Sequence, residues 1–214
     1  MKTILIVGLG RFGKHMAGSL IENGNEVMGI DNVEERVNEA SQYVSEAQIG
    51  DATNPQFIAN IGVNNFDLCV VAIGDNFQSS LECTSLLKES GAKFVVARAH
   101  SDVHKKFLLN NGADEVVYAE REMAERLAMK YGSDNIFDYI ELTADYSIYE
   151  ISVPPAWVGK TIIGKEVRTK HHISILATKE NGVITPLPRP EHVFTATETL
   201  MIMGHTKDVM ALVK

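Results

Sequence analysis

Apolar and polar positions in the first ~130 residues alternate between two patterns. Short runs rich in Val, Ile and Leu (TILIV, EVMGI, YVSEAQ, LCVVAI, FVVAR and EVVYA) are separated by helically spaced segments. Those segments begin near Arg11, Val33, Asn54, Asn76 and Asp102. Near-continuous apolar runs of this length suit parallel strands covered by helices on both faces. Six of them predict an α/β fold with a Rossmann-type doubly wound parallel sheet. Residues 120–131 (EREMAERLAMKY) then predict a crossover helix on which Met123, Leu127 and Tyr131 recur along one face. That stripe suits packing on another helix, in the same chain or in a second subunit, and equally suits packing on its own sheet.

The pattern changes after this helix. Residues 1–133 are expected to form one domain and 134–145 (from DN through IFDYIEL) a connection. Residues 146–214 are expected to form a small α+β unit. Its elements run strand (SIYEISV), Pro154-Pro155, helix near 162–170, strand (ISILATK), turn at Glu180-Asn181-Gly182, strand, loop (PLPRPEH), strand (TLMIMG) and helix (KDVMALV). Asn-Gly between apolar runs is a strong hairpin signal. A unit this small has a marginal core and gains from pairing with a second copy.

Residues 4–31 (ILIVGLGRFGKHMAGSLIENGNEVMGID) carry the main chemical signal. A strand leads into G-x-G-x-x-G at Gly8, Gly10 and Gly13, a helix follows, and the next strand ends in Asp31, 18 residues past Gly13. Gly8 suits the tight turn, Gly10 lets a phosphate approach the backbone, and Gly13 lets helix and strand pack closely. The helix N-terminus supplies free N–H groups and partial positive charge. An acid at position 31 can accept from both ribose hydroxyls and repels a 2′-phosphate, so an adenine nucleotide other than NADP is expected. Arg11 and Phe12 lie within the loop, and Arg11 offers bidentate donors suited to an additional phosphate, which favours ATP or ADP over NAD. The alternatives are a surface arginine and a glycine-rich turn with no ligand. Gly74 ends the fourth strand, where backbone can approach a ribose or phosphate, or simply turn.

Composition narrows the field. The chain has 214 residues and a net charge of -8, which argues against broad nucleic-acid binding. Apolar runs long enough to cross a membrane are absent, and Met1-Lys2-Thr3 leads directly into a core strand, so no signal peptide is expected. Cys69 and Cys83 fall in apolar patterns and read as buried reduced thiols. A Tyr-x-x-x-Lys reductase pair is missing: four positions after the six tyrosines stand Ala47, Glu122, Asn135, Thr143, Glu150 and Val153. G-x-S-x-G and Walker A sequences are also missing. His171-His172 reads as a solvated helix end rather than a catalytic base. The chain is therefore expected not to be an enzyme, with no catalytic residue assigned.

GLGRFG, the terminal Asp31, GDAT at 50–53, AIGDN at 72–76, VVARA at 95–99 and the acid-led helix at Glu120 together resemble the RCK (KTN) domain. The second unit, with its closing TLMIMGHTKDV, resembles the RCK C-terminal subdomain, and the likeness is nearest to KtrA/TrkA-type subunits of bacterial K⁺ uptake systems. The resemblance implies a cytoplasmic regulatory protein at the inner face of the membrane. Its dimers would assemble into an octameric ring docked on a potassium-translocating subunit and gated by ATP and ADP. Asp51 and Ala52 resemble positions that edge the adenine, although Asp51 also suits a helix cap, for which Thr53 or Asn54 is better placed. Arg98 resembles a residue that reaches phosphates from the crevice, and as a charge in a buried-strand pattern it needs a partner. Glu120 resembles a glutamate that approaches the γ-phosphate from a neighbouring subunit through a bound cation, divalent or monovalent; alternatively it caps its own helix. Ile162, Ile163, Arg168, His172, Ile173 and Pro188 resemble the surroundings of a cyclic di-AMP pocket, or form an ordinary apolar dimer seam. The competing readings are a small NAD(P)-dependent oxidoreductase and a sensor of the NADH/NAD⁺ ratio.

Overall fold

The computed structural model describes residues 1–74 and 76–213; Asp75, inside the AIGDN segment, and Lys214 lie outside the described residues. The chain divides into two compact units, Met1–Glu120 and Arg121–Lys214. The first alternates strands and helices: β1 (Thr3–Val7), α1 (Arg11–Glu22), β2 (Glu26–Asp31), α2 (Glu34–Ala40), β3 (Glu46–Ile49) and α3 (Pro55–Ile61). It continues through β4 (Leu68–Val71), α4 (Phe77–Glu89), β5 (Val95–Arg98), α5 (Asp102–Asn110) and β6 (Glu115–Val117). The strands form one sheet in the order β3-β2-β1-β4-β5-β6, and every pairing is parallel. This is the expected doubly wound sheet. Its order reverses between β1 and β4, and ligands of such sheets bind outside the carboxyl ends at that point.

The apolar runs lack alternation because both faces are covered. Leu5 and Val7 of β1 join a core with Leu87 and Leu108 on one side of the sheet, while Ile4 and Ile6 join Ala17 and Val37 on the other. Local chemistry sets where the helices begin. Asn54 accepts the Gln56 and Phe57 N–H groups with Pro55 at the first helical position, Asn76 accepts from Ser79, and Ser101 accepts from His104.

The boundary expected after residue 133 falls instead at Glu120. Helix α6 (Ala119–Tyr131) carries the chain into the second unit, where Arg126 pairs with Asp138 at 2.9 Å and Met129 packs against the second core. The expected connection at 134–145 contains a strand, β7 (Ile136–Glu141), antiparallel to β8 (Tyr146–Ser152). Asp138 and Glu141 disguise its alternation, and the register shifts between Ile136 and Asp138, which breaks the period-two pattern.

The remaining elements are α7 (Ile162–Lys165), α8 (Val167–His171), β9 (Ile173–Glu180), β10 (Val183–Pro186), β11 (Thr199–His205) and α9 (Thr206–Leu212). The second sheet runs β10-β9-β11-β8-β7, and all its pairings are antiparallel. The Asn181-Gly182 hairpin is present, with φ of 50° and 80° at the two residues. The single helix expected at 162–170 is two short ones, broken where Glu166 adopts φ 49°. His171 packs its ring 5.0 Å from that of Trp157, so it is part of an aromatic cluster and not a solvated helix end. Burial holds its pKa below the usual histidine value, with Lys165 and Lys170 adding to the effect. Buried Glu198 accepts the Thr195 N–H at 2.8 Å and lies 2.9 Å from His192 Nε2, fixing the loop that leads into β11.

Adjacent leucines on α5 test this packing. Leu108 is fully buried and Leu109 is 45% exposed. Leu108→Ala is expected to cost about 2–5 kcal/mol in denaturant unfolding. Leu109→Ala is expected to stay within about 0.5 kcal/mol of the parent. Equal losses would contradict the orientation of the helix.

Candidate functional site

A cavity of about 830 Å³ opens at the carboxyl edge of the parallel sheet, and among the described residues those that line it all belong to the first unit. Its floor is the β1–α1 turn. Gly8 adopts φ 98°, and a Cβ there would lie 2.9 Å from the carbonyl carbon of Ala72. A Cβ on Gly13 would collide with the Gly8 carbonyl oxygen, so only glycine lets α1 start this close to the strand. Gly13 accordingly stands behind the turn and does not line the cavity.

Helix α1 begins without a side-chain cap and without an acidic residue in its first turn. Its unsatisfied N–H groups and the positive end of its dipole therefore remain available to an anion. Gly10, Arg11, Phe12 and His15 line the cavity at this end.

Asp31 is 5% exposed, and its carboxylate is already engaged. Oδ2 accepts the Leu9 N–H at 2.8 Å, Oδ1 accepts the Val33 N–H at 2.9 Å, and Arg36 Nη1 lies 3.6 Å from Oδ2. The acid expected to await a ribose also ties the glycine-rich turn to the end of β2. Each oxygen keeps a further lone pair for a hydroxyl donor. Asp51 accepts both the hydroxyl of Thr53, at 2.7 Å, and its N–H, at 2.9 Å. Those bonds hold its carboxyl below the usual range. The cap of α3 is Asn54, which leaves Asp51 and the buried Ala52 on the cavity wall.

On the far side stand Gly74, Asn76, Ser79, Arg98 and Glu120. Arg98 forms an ion pair with Glu120, and its guanidinium carbon lies 5.3 Å from the centroid of the Phe12 ring. A backbone N–H at its own position, and then Arg98, hold the Glu120 carboxyl below the ordinary glutamate value. Glu120 stands at a helix start, as its capping reading requires, and it lines the cavity of its own chain rather than that of a neighbour.

Gly8, Gly10, Arg11, Phe12, Asp31, Asp51, Ala52, Gly74, Arg98 and Glu120 all meet in this one cavity. The sequence reading missed His15, Arg36, Thr53 and Ser79, which also line it. His15, Arg36 and Ser79 sit on helices, where polar residues look like solvent-facing positions, whereas Thr53 and Asn76 carried a signal only as helix starts. Among the described residues no three His, Cys, Asp or Glu side chains converge to hold a metal ion, so a cation at Glu120 would need ligands from a bound phosphate. Cys69 and Cys83 are buried free thiols; burial pushes Cys69 up to about 12 and raises Cys83 as well.

The second expected set lies in the other unit. Ile173 is 2% exposed and belongs to the core, Ile162 packs partly against that core, and Ile163 is 63% exposed. Arg168 and His172 are exposed, and Pro188 is half-buried. Core packing occupies the Ile173 side chain, which removes it from the expected ligand surface.

The TrkA-N domain family model matches residues 4–119. Over 208 residues the chain is 38% identical to Ktr system potassium uptake protein C of Bacillus subtilis (strain 168), covering 97% of this chain and 94% of that one. It is 36% identical to Ktr system potassium uptake protein A of the same organism, with the same coverage. The GsuK channel bound to NAD superposes with a TM-score of 0.71 at 19% identity, over 99% of this chain and 38% of that chain; the likeness is one of fold.

Asp31→Ala is expected to act on both stability and binding. It strands the buried N–H of Leu9, which costs about 1–3 kcal/mol of unfolding free energy. It also weakens any adenine nucleotide that shares the carboxylate through its ribose. Thermal unfolding and isothermal titration measure the two effects. Unchanged stability would mean that the turn does not depend on this carboxylate, and unchanged affinity for both ATP and NADH would remove Asp31 from the site.

Proposed function

The chain belongs to the TrkA-N domain family, and on that premise we propose that it is a nucleotide-binding regulatory subunit of a membrane potassium transporter and not an enzyme. The near-full-length match to two proteins named for potassium uptake carries this reading. The cavity supports the nucleotide part. An uncapped helix end suits phosphates, Asp31 suits a ribose, and Asp51 and Ala52 suit an adenine edge. Arg11, at the first position of α1, is suited to a γ-phosphate, which favours ATP and ADP as the regulatory pair. Among the described residues no helix is long and apolar enough to cross a membrane. We place the protein in the cytoplasm, held at the inner membrane face by its translocating partner.

A nucleotide can shift the assembly only by its difference in affinity between two states. Glu120 is suited to that discrimination, because a carboxylate near a triphosphate is repelled unless a cation lies between them. The second reading is an NADH/NAD⁺ sensor, which the NAD-bound channel of the same fold supports, and the remaining alternative is a small oxidoreductase. An NADH turnover assay and competition among ATP, ADP and NADH separate the readings. Cyclic di-AMP at the second unit is retained as a further proposal for Arg168 and His172.

Self-assembly is part of the proposal. No residue of α6 is buried, and its stripe of Met123, Leu127 and Tyr131 is 51%, 43% and 78% exposed. Its apolar surface suits a helix of a second copy. Light scattering at micromolar concentration is expected to give a multimer larger than a dimer. A clean monomer would contradict the ring and strengthen the enzyme alternative.

Titration of ATP and ADP, with and without Mg²⁺, tests the ligand assignment. Arg11→Ala is expected to weaken ATP about tenfold more than ADP, the loss of one charge-assisted contact. Glu120→Gln is expected to leave ADP binding nearly intact and to remove any divalent enhancement of ATP binding. Equal losses for both nucleotides in Arg11→Ala would assign Arg11 to the shared phosphates. A divalent effect that survives in Glu120→Gln would return Glu120 to helix capping.

A further inference from the structure

The seam between α4 and α5 encloses a histidine that does not line the cavity. His104 is fully buried on α5, with its ring 4.4 Å from that of His100 and 4.8 Å from that of Phe77. Phe77 opens α4 and meets Phe107 of α5 edge-on. Asn76 caps the same helix, and Asn76 and Ser79 line the cavity. The stack therefore ties α5 to the end of α4 that forms part of the cavity wall.

The surroundings of His104 suit only its neutral form. Nδ1 accepts the His100 N–H at 3.4 Å, so the proton of the neutral ring sits on Nε2. Among the described residues Nε2 is buried without a partner. A second proton would go to Nδ1 and turn that acceptor into a donor facing the His100 N–H. It would also leave a buried cation whose Nε2–H has no acceptor. Burial, and then His100, hold the His104 pKa below the usual histidine value. On α4, Ser80 and Thr84 share the stripe of Phe77 and are buried and uncharged. The charges of that helix are engaged elsewhere, Glu82 with Gln78, Lys88 with Asp114 and Glu89 with Ser85. Asp102, Lys105 and Lys106 of α5 and Glu115 of β6 are exposed.

We propose that Phe77, His100 and His104 form a proton-sensitive latch: neutral His104 clamps the start of α4 to α5, and acid releases that start, with Asn76 and Ser79, from the cavity wall. The latch belongs to the protein alone and stands whichever ligand the cavity takes. A lowered histidine pKa means that the closed seam binds fewer protons than the open one. Its contribution to stability is complete above about pH 6.5 and is lost as pH falls through the lowered value.

The test compares the whole parent chain with His104→Phe, which keeps a ring against Phe77 and cannot take a proton. Imidazole ¹H–¹⁵N spectra follow His104 between pH 8 and pH 5. Amide hydrogen exchange follows the Ser80 N–H, whose 3.0 Å bond to the Asn76 carbonyl closes the first turn of α4. His104 is expected to be the Nε2–H tautomer, with a midpoint below about 6.5. Below about pH 6.5, Ser80 protection relative to its intrinsic exchange rate is expected to fall in the parent by up to about tenfold per pH unit. In His104→Phe it is expected to stay level. A His104 midpoint at or above about 6.5 overturns the proposal. So does protection that stays level in the parent, or an equal loss in both proteins, which would assign the effect to another group such as His100. Should His104→Phe fail to fold, His104→Gln, which keeps an acceptor for the His100 N–H, replaces it under the same criteria.

Discussion

The site depends on how the Asp31 carboxylate is shared. One oxygen takes the Leu9 N–H from the turn after β1, and the other takes the Val33 N–H from the turn after β2. Two loops that would otherwise move independently are thereby fixed to one buried charge. Charge-assisted bonds to backbone donors are stronger than neutral ones, and burial makes their loss costly. Arg36 balances the charge from the cavity side. The position of the helix N-terminus, and so of any anion it holds, follows from this small network.

Local electrostatics and net charge point in different directions. The chain carries a net charge of -8, yet Arg11, Arg36, Arg98 and His15 all line the same cavity. Asp31 and Glu120 offset two of those arginines through direct pairs. The field felt by a ligand is set by such nearby charges and by the helix end, since distant surface charges are screened within about 10 Å. An acidic protein can thus present a phosphate site without contradiction, and the same acids supply contrast between ligands of different charge.

The second unit places different demands on the chain. Its core is assembled from both ends of its sequence, with Ile136 near the start and Val209 near the end. The antiparallel sheet covers one face of that core, while α6 contributes Met129 and leaves Met123, Leu127 and Tyr131 exposed.

The sequence by itself determined the parallel sheet, the six strands, the glycine turn and about half of the cavity wall. These features depend on short-range rules: apolar runs, helix starts and the conformational freedom of Gly8. Residues at or just beyond the ends of parallel strands share one edge whatever their side chains, so Asp31, Gly74 and Arg98 group from the sequence alone. Tertiary structure alone decided the rest. The bond of Asp31 to Leu9, the Arg98–Glu120 pair and the presence of Arg36 at the wall all join positions with no local pattern between them. The strand at Ile136–Glu141 became visible only through its pairing with β8, because its own alternation is broken by charge and by a register shift. A one-dimensional pattern records which face a residue prefers, and only the folded chain selects which distant group it meets there.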